Sequence, residues 1–311
     1  MAVLVFAPIA MERVWGGRLL ETHFHRSLPD ADVPYGESWE VVDRAEAQSV
    51  VVSGPFAGMT LHELWHEKRE EIFGMGMPSS ERFPLLVKIL DAREDLSIQV
   101  HPPAALAEQL KGDPKTEMWY IAAAQEQARL VVGLRADTTR ESFATAIENG
   151  SVADLVHEIP VCKGDSIFIP SGRLHAIGAG LLIFEIQQNS DTTYRVFDWN
   201  RVGLDGKARE LHIAESLASI DFSDVEPELD VAQGAVIASC EYFVVERFTL
   251  AAGQSLGLAT PERFSLLHVV EGKIHARDGS VWPAGTSLLL PRGEPAVIAE
   301  GNAIILRTSI P

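Results

Sequence analysis

A nine-residue pattern that occurs twice constrains the fold of this chain more than any other feature. Residues 164–172 (GDSIFIPSG) match residues 285–293 (GTSLLLPRG) at an offset of 285 − 164 = 121 positions. In both copies, a short β-prone run ends in a Pro-x-Gly turn. Internal self-similarity of this kind indicates one structural unit that is used twice. The sequence therefore predicts two related β-domains.

The rest of the chain favours a mainly β architecture. Most apolar runs are short, β-rich and punctuated by Gly or Pro, as in residues 83–90 (FPLLVKIL) and 181–186 (LLIFEI). Strands of this length and spacing are typical of sandwiches and barrels. Helical patterns are few, and they cover Leu61–Phe73, Ala104–Leu110, Thr138–Glu148 and Glu210–Leu217.

The two copies differ in length and in polar chemistry. Residues 115–121 match residues 263–269 at 263 − 115 = 148 positions, so the first copy holds 148 − 121 = 27 extra residues, which we expect near 134–160. At the offset of 121, His175 falls on Ala296 and Glu185 on Leu306. We therefore predict a catalytic domain over 1–225 and a degenerate, structural domain over 226–311. The acidic stretch 221–230 is expected to be a solvated linker.

The composition restricts the kinds of molecule that the protein is expected to bind and the compartment in which it is expected to act. The 26 Lys and Arg residues against 44 Asp and Glu give a net charge of −18, which disfavours nucleic acid and anionic membrane surfaces. Pro8 interrupts the apolar N-terminal run, and no later run approaches the length of a membrane span. Cys162 and Cys240 are expected to be buried free thiols of a reducing compartment. We expect a cytoplasmic protein, monomeric or homodimeric, that acts on a small molecule.

Residues 62–66 (HELWH) form an H-E-x-x-H sequence, the pattern in which a zinc protease binds metal through two histidines. Thr60 and Glu63, however, have the spacing of a capping box, which gives the glutamate a structural role at a helix start. Residues 67–71 (EKREE) are charged, whereas the protease helix continues into the core. A capped surface helix is the favoured interpretation.

A second group of polar residues is a better candidate for a metal site. Strand alternation in residues 96–102 (LSIQVHP) puts Ser97, Gln99 and His101 on one face. Glu117 shares a face of the next strand with Lys115, while His175 follows the Pro170 turn and Glu185 lies on the strand after it. The set Gln99, His101, Glu117 and His175 suits Zn²⁺ or another divalent ion in an open catalytic site. The alternative is a strand with one face in water.

A third candidate is the polar segment 187–201, which contains Arg195 in a strand-like context. Arginine is suited to bidentate recognition of phosphate. The alternative is an ordinary surface arginine in a solvated loop.

Several runs together resemble the type I phosphomannose isomerases, in their short bacterial form. The resemblance covers nearly the whole chain in order and rests on residues 12–17 (ERVWGG), 35–41 (YGESWEV), 84–92 (PLLVKILDA), 96–102 (LSIQVHP), 115–121 (KTEMWYI), 164–172 (GDSIFIPSG), 175–180 (HAIGAG), 185–195 (EIQQNSDTTYR) and 240–247 (CEYFVVER). It implies two cupin domains, each a jelly-roll-like β-barrel, with short helical inserts in the first. It also implies one Zn²⁺ per chain, bound by Gln99, His101, Glu117 and His175, of which Gln99 is the least secure ligand.

The resemblance further implies interconversion of D-mannose 6-phosphate and D-fructose 6-phosphate through a cis-enediol. The residues expected to contact substrate are Ser97, Lys115 and Arg195, and those expected to act in catalysis are Arg195, Lys115 and Glu185. Glu185, Lys115 and zinc-bound water all remain open as the base. Arg173 departs from the family pattern and is a candidate for altering substrate preference. A non-enzymatic cupin that binds sugars or sugar phosphates is the competing hypothesis.

Overall fold

The computed structural model describes residues 2–293 and 295–311, and its fold is mainly β, as predicted. The strands are β1 (Leu4–Val5), β2 (Ile9–Gly17), β3 (Tyr35–Val41), β4 (Asp43–Arg44), β5 (Ala47–Gln48), β6 (Leu85–Ala92), β7 (Ile98–Val100), β8 (Glu117–Ala124), β9 (Arg129–Leu134), β10 (Val156–Pro160), β11 (Ser166–Ile169), β12 (His175–Ile177), β13 (Leu181–Gln188), β14 (Tyr194–Phe197), β15 (Val236–Ser239), β16 (Val244–Leu250), β17 (Ser255–Gly257), β18 (Ser265–Glu271), β19 (Lys273–His275), β20 (Val281–Pro283), β21 (Ser287–Leu290), β22 (Ala296–Ala299) and β23 (Ala303–Ser309).

The helices are short and lie near the predicted positions, apart from the first, which the sequence patterns did not indicate. They are α1 (Leu19–Thr22), α2 (Leu61–Glu67), α3 (Ala104–Ala107), α4 (Arg140–Asn149) and α5 (Ile213–Ser219). A π-helical turn, Arg69–Phe73, continues α2, and a 3₁₀ turn, Val152–Leu155, follows α4. No helix in the described ranges is long and apolar enough to cross a membrane.

Two antiparallel sheets form what we call the N-terminal sandwich. One has the strand order β11-β8-β13-β6-β2-β3, and the other has the order β10-β9-β12-β7-β14. Alternate residues of both sheets point inward and share one apolar cluster, which includes Trp119, Ile121, Ile167, Ile177 and Ile183. Because side chains alternate along a strand, the inward positions of β7, β8 and β13 are also where polar residues can meet.

The C-terminal sandwich repeats this arrangement. Its sheets have the orders β1-β21-β18-β23-β16-β15 and β17-β22-β19-β20. The order β11-β8-β13-β6 therefore corresponds to β21-β18-β23-β16, and β10-β9-β12-β7 corresponds to β20-β19-β22-β17. The bounds of β11 and β21 differ by 287 − 166 = 121 residues, which is the offset of the sequence repeat.

The copies differ most between β9 and β10, where α4 and the 3₁₀ turn lie, whereas β19 and β20 are joined by a short loop. Strand β1 pairs with β21, so Leu4 and Val5 belong to a sheet of the C-terminal sandwich although the sequence division assigned them to 1–225. A chain can cross between sandwiches in this way because sheet edges offer unpaired backbone groups. The division into a catalytic and a structural domain stays a prediction.

The sandwiches pack back to back through the outer faces of their six-stranded sheets. The shared cluster includes Tyr120, Phe184, Leu266, Leu289 and Leu306, together with Trp65 and Phe73 of the α2 region. Helices α4 and α5 cover the outer face of the five-stranded sheet through Phe143, Ala146 and Leu217. The site-bearing sandwich is thus supported on both outer faces.

Two local expectations need correction. Both cysteines are free, but Cys162 is exposed and Cys240 only partly buried, because they lie in turns and not within strands. The acidic stretch 221–230 is not a free linker, since Asp224 and Glu226 exchange backbone hydrogen bonds with Leu134 of β9.

Candidate active site

A cavity of about 430 Å³ opens into the N-terminal sandwich. Five of the predicted site residues line it: Ser97, Gln99, Lys115, Glu185 and Arg195. One wall is set by strand register, because Lys88 of β6 pairs with Glu185 of β13, and Glu185 pairs with Trp119 of β8. The regular pairing of the sheet therefore places charged side chains in a row along the cavity wall.

His101, Glu117 and His175 meet behind this lining, and each is fully buried. One ligand atom from each lies within 4.8 Å of the others. The Oε1 of Glu117 is 3.6 Å from His101 Nε2 and 3.4 Å from His175 Nε2. Three residues that are distant in sequence thus aim one oxygen and two imidazole nitrogens at one point.

Backbone carbonyls fix the orientation of both imidazoles. His101 Nδ1 is 2.7 Å from the carbonyl oxygen of Thr192, and His175 Nδ1 is 2.9 Å from that of Arg173. Each Nδ1–H therefore donates outward, and each Nε2 presents a lone pair to the cluster. A metal-binding histidine typically makes this second hydrogen bond, which fixes its tautomer.

The atoms that face each other in the cluster also fit a cation. Among the described residues, His101 Nε2 and Glu117 Oε1 are buried without a hydrogen-bond partner. Buried polar atoms left in this state are costly unless something binds them. A carboxylate oxygen beside two imidazole nitrogens is a donor set for a divalent first-row metal ion.

Gln99 lies beside this cluster. It pairs with His175 across β7 and β12, and its side-chain amide is 3.3 Å from His175 Nε2. The amide nitrogen and oxygen of a glutamine can exchange places by rotation about the last side-chain bond. Gln99 is therefore positioned to offer its oxygen as a further ligand, and its membership of the ligand set stays a prediction.

The ionisation of the cluster suits a metal site. Burial would raise the pKa of Glu117, but the Lys115 ammonium and the two imidazoles outweigh it and hold that pKa far below its ordinary value. Burial and repulsion from His101 lower the pKa of His175 to about 3, and burial likewise lowers the pKa of His101. At neutral pH the cluster is a carboxylate with two neutral imidazoles, the forms that bind metal.

Lys115 connects the cluster to the cavity. Its Nζ is 2.7 Å from Glu117 Oε2 and 3.6 Å from Glu185 Oε1. Burial would lower the pKa of Lys115, but these two carboxylates raise it well above its ordinary value. Lys115 is therefore a fixed ammonium at the junction of the metal cluster and the substrate cavity.

Glu185 has a different environment. Its Oε2 accepts a 2.9 Å hydrogen bond from Trp119 Nε1, whereas its Oε1 is a buried oxygen without a hydrogen-bond partner among the described residues. Burial, followed by repulsion from Glu117, raises the pKa of Glu185, and the nearby ammonium groups of Lys115 and Lys88 oppose this only in part. Glu185 lines the cavity, and a carboxyl group of raised pKa in a cavity wall is suited to proton transfer.

Arg195 lies on β14 at another side of the cavity. Its Nε donates to Ser97 Oγ at 3.3 Å, and its Nη1 donates to the backbone oxygen of Glu210 at 2.9 Å. No carboxylate in the described chain forms a salt bridge with it, in contrast to Arg209, which pairs with Asp198. Arg195 is thus a partly buried guanidinium that is available to an anion in the cavity.

Sequence reasoning assigned no role to five further charged residues that line the cavity: Arg13, Glu37, Lys88, Asp191 and Arg209. Arg13 forms a forked pair with Glu37 at 2.9 and 3.1 Å, and Lys88 Nζ lies 3.4 to 3.8 Å from carboxylate oxygens of Glu37, Glu185 and Asp191. The available signal was a single lysine inside the apolar run 85–90 (LLVKIL). A charged residue in a buried strand needs partners, which marks it as a site candidate.

The H-E-x-x-H segment is a capped helix, as predicted. The Thr60 side chain accepts from the backbone of Glu63, and the Glu63 carboxylate accepts from the backbone of Thr60. His62 bonds instead to Asp43, and His66 to the backbone oxygen of Glu81. The glutamate is occupied by the cap, and the histidines have separate partners.

Comparison with known proteins agrees with this geometry. The family model described as "Phosphomannose isomerase type I, catalytic domain" matches residues 4–143. Mannose-6-phosphate isomerase ManA of Bacillus subtilis is 38% identical over 312 residues, covering 96% of each chain. The chain belongs to the type I phosphomannose isomerases. The prediction of an enzyme of this isomerase family is confirmed.

Other phosphomannose isomerases show the same likeness. The mannose-6-phosphate isomerase of Streptococcus mutans is 36% identical, with 84% of this chain and 83% of that protein covered. The crystal structure of the Bacillus subtilis mannose 6-phosphate isomerase superposes over 100% of both chains with a TM-score of 0.87 at 32% identity. A phosphomannose isomerase from Salmonella typhimurium, at 16% identity and a TM-score of 0.79, shares the fold.

Proposed function

We propose that this protein interconverts D-mannose 6-phosphate and D-fructose 6-phosphate with the help of one bound divalent metal ion, for which Zn²⁺ is the best candidate. The observation that carries the proposal is the buried cluster of His101, Glu117 and His175. It adjoins a cavity that contains the Arg195 guanidinium, which no carboxylate of the described residues pairs with, and the Glu185 carboxyl group, whose pKa is raised. His101, Glu117 and His175 would hold the metal, with Gln99 as a fourth ligand. When bound, such an ion stabilises negative charge that develops on the sugar oxygens.

The substrate would be anchored by its phosphate. Arg195 supplies a guanidinium that forms no salt bridge with a carboxylate of the described residues, and its Nε donates to the Ser97 hydroxyl. Bidentate binding by a fixed guanidinium sets the position of a phosphate more strictly than a flexible ammonium does. In a chain of net charge −18, the Arg195 guanidinium and the Lys115 ammonium provide local positive charge for an anionic substrate.

Of the three candidates for the base, Glu185 is the one that transfers the proton. Its carboxylate takes the proton from C2 of the aldose and returns it to C1, while the hydroxyl proton of O2 is transferred to O1, so that the cis-enediol forms and collapses with no net change in the protein. The pKa of Lys115 is raised by its two carboxylates, which keeps it an ammonium and unsuited to act as the base. Lys115 instead places positive charge beside the developing enediolate.

A coupled isomerase assay on mannose 6-phosphate tests the proposal. We expect turnover that is lost on chelation and restored by Zn²⁺. Protein that is folded and metal-loaded but produces no fructose 6-phosphate, while still binding the sugar phosphate, would favour the non-enzymatic binding hypothesis. Activity that survives complete chelation would contradict the metal requirement.

A further inference from the structure

Arg173 lies two residues before the metal-ligand candidate His175, and its side chain does not point into the substrate cavity. Its guanidinium makes a forked pair with Asp224, with Nε to Oδ2 at 2.8 Å and Nη2 to Oδ1 at 2.9 Å. The remaining Nη1 donates to the backbone oxygen of Phe168 at 2.8 Å. Both side chains of the pair are only 16% exposed. A role in substrate preference through direct contact is therefore not supported.

The same residue holds His175 through its backbone. The carbonyl oxygen of Arg173 accepts the Nδ1–H bond of His175, which fixes the direction of Nε2 toward Glu117. The side chain of Arg173 spans the turn from residue 173 back to Phe168, at the end of β11. The Arg173 side chain therefore holds the turn between Phe168 and Arg173, and this turn sets the direction of the Arg173 carbonyl toward His175.

Asp224 ties this turn to the rest of the sandwich. Its backbone oxygen accepts from Leu134 of β9, the strand that pairs with the His175 strand β12. Asp221 also donates its backbone N–H to Gly172, whose own N–H donates to the carbonyl oxygen of His101. The segment 221–224 is therefore connected to the turn beside one histidine and, through Gly172, to the backbone of the other.

We propose that the Arg173–Asp224 pair is a positioning device for the metal ligand His175, through which the acidic segment 221–230 sets the metal affinity of this protein. The proposal rests on the metal site of the proposed function. Partners in the shell around a metal ligand typically change metal affinity by about 10- to 100-fold when they are removed. Because the side-chain pair acts one step further out, through a backbone carbonyl, we expect the lower end of that range.

The test measures Zn²⁺ affinity by competition with a chelator, on the full chain and without substrate. Asp224→Asn removes the charge of the acceptor, and Arg173→Lys keeps the positive charge but loses the fork. We expect each variant to weaken Zn²⁺ binding about tenfold. The double variant should bind Zn²⁺ as tightly as each single variant, because both changes break the same interaction.

The C-terminal sandwich offers a matched control. Arg307 contacts Glu246 Oε2 through Nη2 at 2.6 Å and through Nε at 2.8 Å, and its Nη1 donates to the backbone oxygens of Gly257 and Leu258. The side chains of Arg307 and Glu246 are 13% and 17% exposed. Glu246→Gln therefore breaks an arginine–carboxylate pair of similar burial away from the site. We expect it to lower the thermal unfolding temperature of the metal-free protein about as much as Asp224→Asn, with Zn²⁺ affinity unchanged.

The outcomes separate the two proposals. If the unaltered protein does not bind Zn²⁺, the metal site of the proposed function is wrong. If it binds Zn²⁺ and both Asp224→Asn and Arg173→Lys bind equally well, the positioning role is wrong. A loss in Asp224→Asn alone, with Arg173→Lys unaffected, would also overturn it, because that pattern indicates through-space charge. An equal loss in Glu246→Gln would reduce the effect to general stability.

Discussion

The two sandwiches share a strand order and differ in what fills them. The interior of the C-terminal sandwich is apolar, with Leu256, Val269, Ile274, Leu288 and Val297 in one buried cluster. The interior of the N-terminal sandwich contains an apolar layer beside a cavity lined by charges. The same β-scaffold therefore tolerates either filling, and the chemistry depends on which inward positions carry polar residues.

The buried charged residues along the cavity wall of the N-terminal sandwich are stabilised because each one lies beside residues of opposite charge. Across the cavity wall the order is Glu37, Lys88, Glu185, Lys115 and Glu117, and successive members lie 2.7 to 3.8 Å apart. Removing one partner of a buried ion pair leaves an uncompensated charge, which costs several kcal/mol. The C-terminal sandwich needs no such series, because the positions at the repeat offsets from His175 and Glu185 are Ala296 and Leu306.

The largest expected effect follows from removing a cluster histidine. His175→Ala should lower isomerase activity by at least about 10³-fold, because metal stabilisation of transition-state charge contributes several kcal/mol. The matched variant His268→Ala removes an equally buried histidine from the C-terminal sandwich. Isomerase activity and the amount of Zn²⁺ bound per chain are measured for both folded variants. Loss of bound metal in His268→Ala would contradict the conclusion that only the N-terminal sandwich holds the metal.

Core truncations at equivalent positions give the next largest effect. Ile167 of β11 and Leu288 of β21 correspond at the offset of 121, and both are buried. Each change to Ala should cost about 2 to 5 kcal/mol in the free energy of unfolding. Ile167 pairs with Trp119, which holds Glu185, so Ile167→Ala should also lower kcat. Urea unfolding measures the loss of stability, and kcat is measured at urea concentrations below the unfolding transition. A lowered kcat in Leu288→Ala would contradict the expected difference between the two variants.

Arg195→Lys should have a smaller and more selective effect. The ammonium keeps the charge but loses the fork and the contact with Ser97, so we expect KM for mannose 6-phosphate to rise about 10- to 100-fold, equivalent to about 1.4 to 2.7 kcal/mol. Arg209→Lys is the control, since Arg209 lines the same cavity but is paired with Asp198. Steady-state kinetics with mannose 6-phosphate and with unphosphorylated mannose measure both. An equal loss for both sugars would argue against a phosphate contact.

Sequence patterns were sufficient for the scaffold and for the cluster. The repeat predicted the equivalence of β11 and β21. Alternation in 96–102 put Gln99 and His101 on one strand face, and alternation in 115–121 put Lys115 and Glu117 on another, and the structure brings these residues together. These features depend on local periodicity, which a sequence records directly.

Patterns were insufficient where the interaction is non-local. Lys88 looked like an isolated charge in an apolar strand, and its partners Glu37 and Asp191 come from β3 and from the loop before β14. The Arg173–Asp224 pair likewise joins a turn to a segment that composition alone described as solvated. Which strands become neighbours is decided by sheet topology, so pairings of this kind are absent from any single run of residues.

The last comparison concerns pH, because the C-terminal sandwich has a buried titratable group without a catalytic role. His268 bonds to Ser287 Oγ at 2.9 Å, and burial lowers its pKa to about 3. The unfolded chain binds this proton near pH 6.5, so the stability is fully present above that pH and is lost as pH falls toward 3. In the unaltered protein, neutral His268 should make the free energy of unfolding fall by about 1.4 kcal/mol for each pH unit below 6.5. The His268→Asn variant should lack this contribution. Urea unfolding of the metal-free proteins at a series of pH values measures the difference, in which contributions from His101, His175 and the carboxylates cancel. Parallel stability curves for the two proteins would show that His268 is not kept neutral in the folded state.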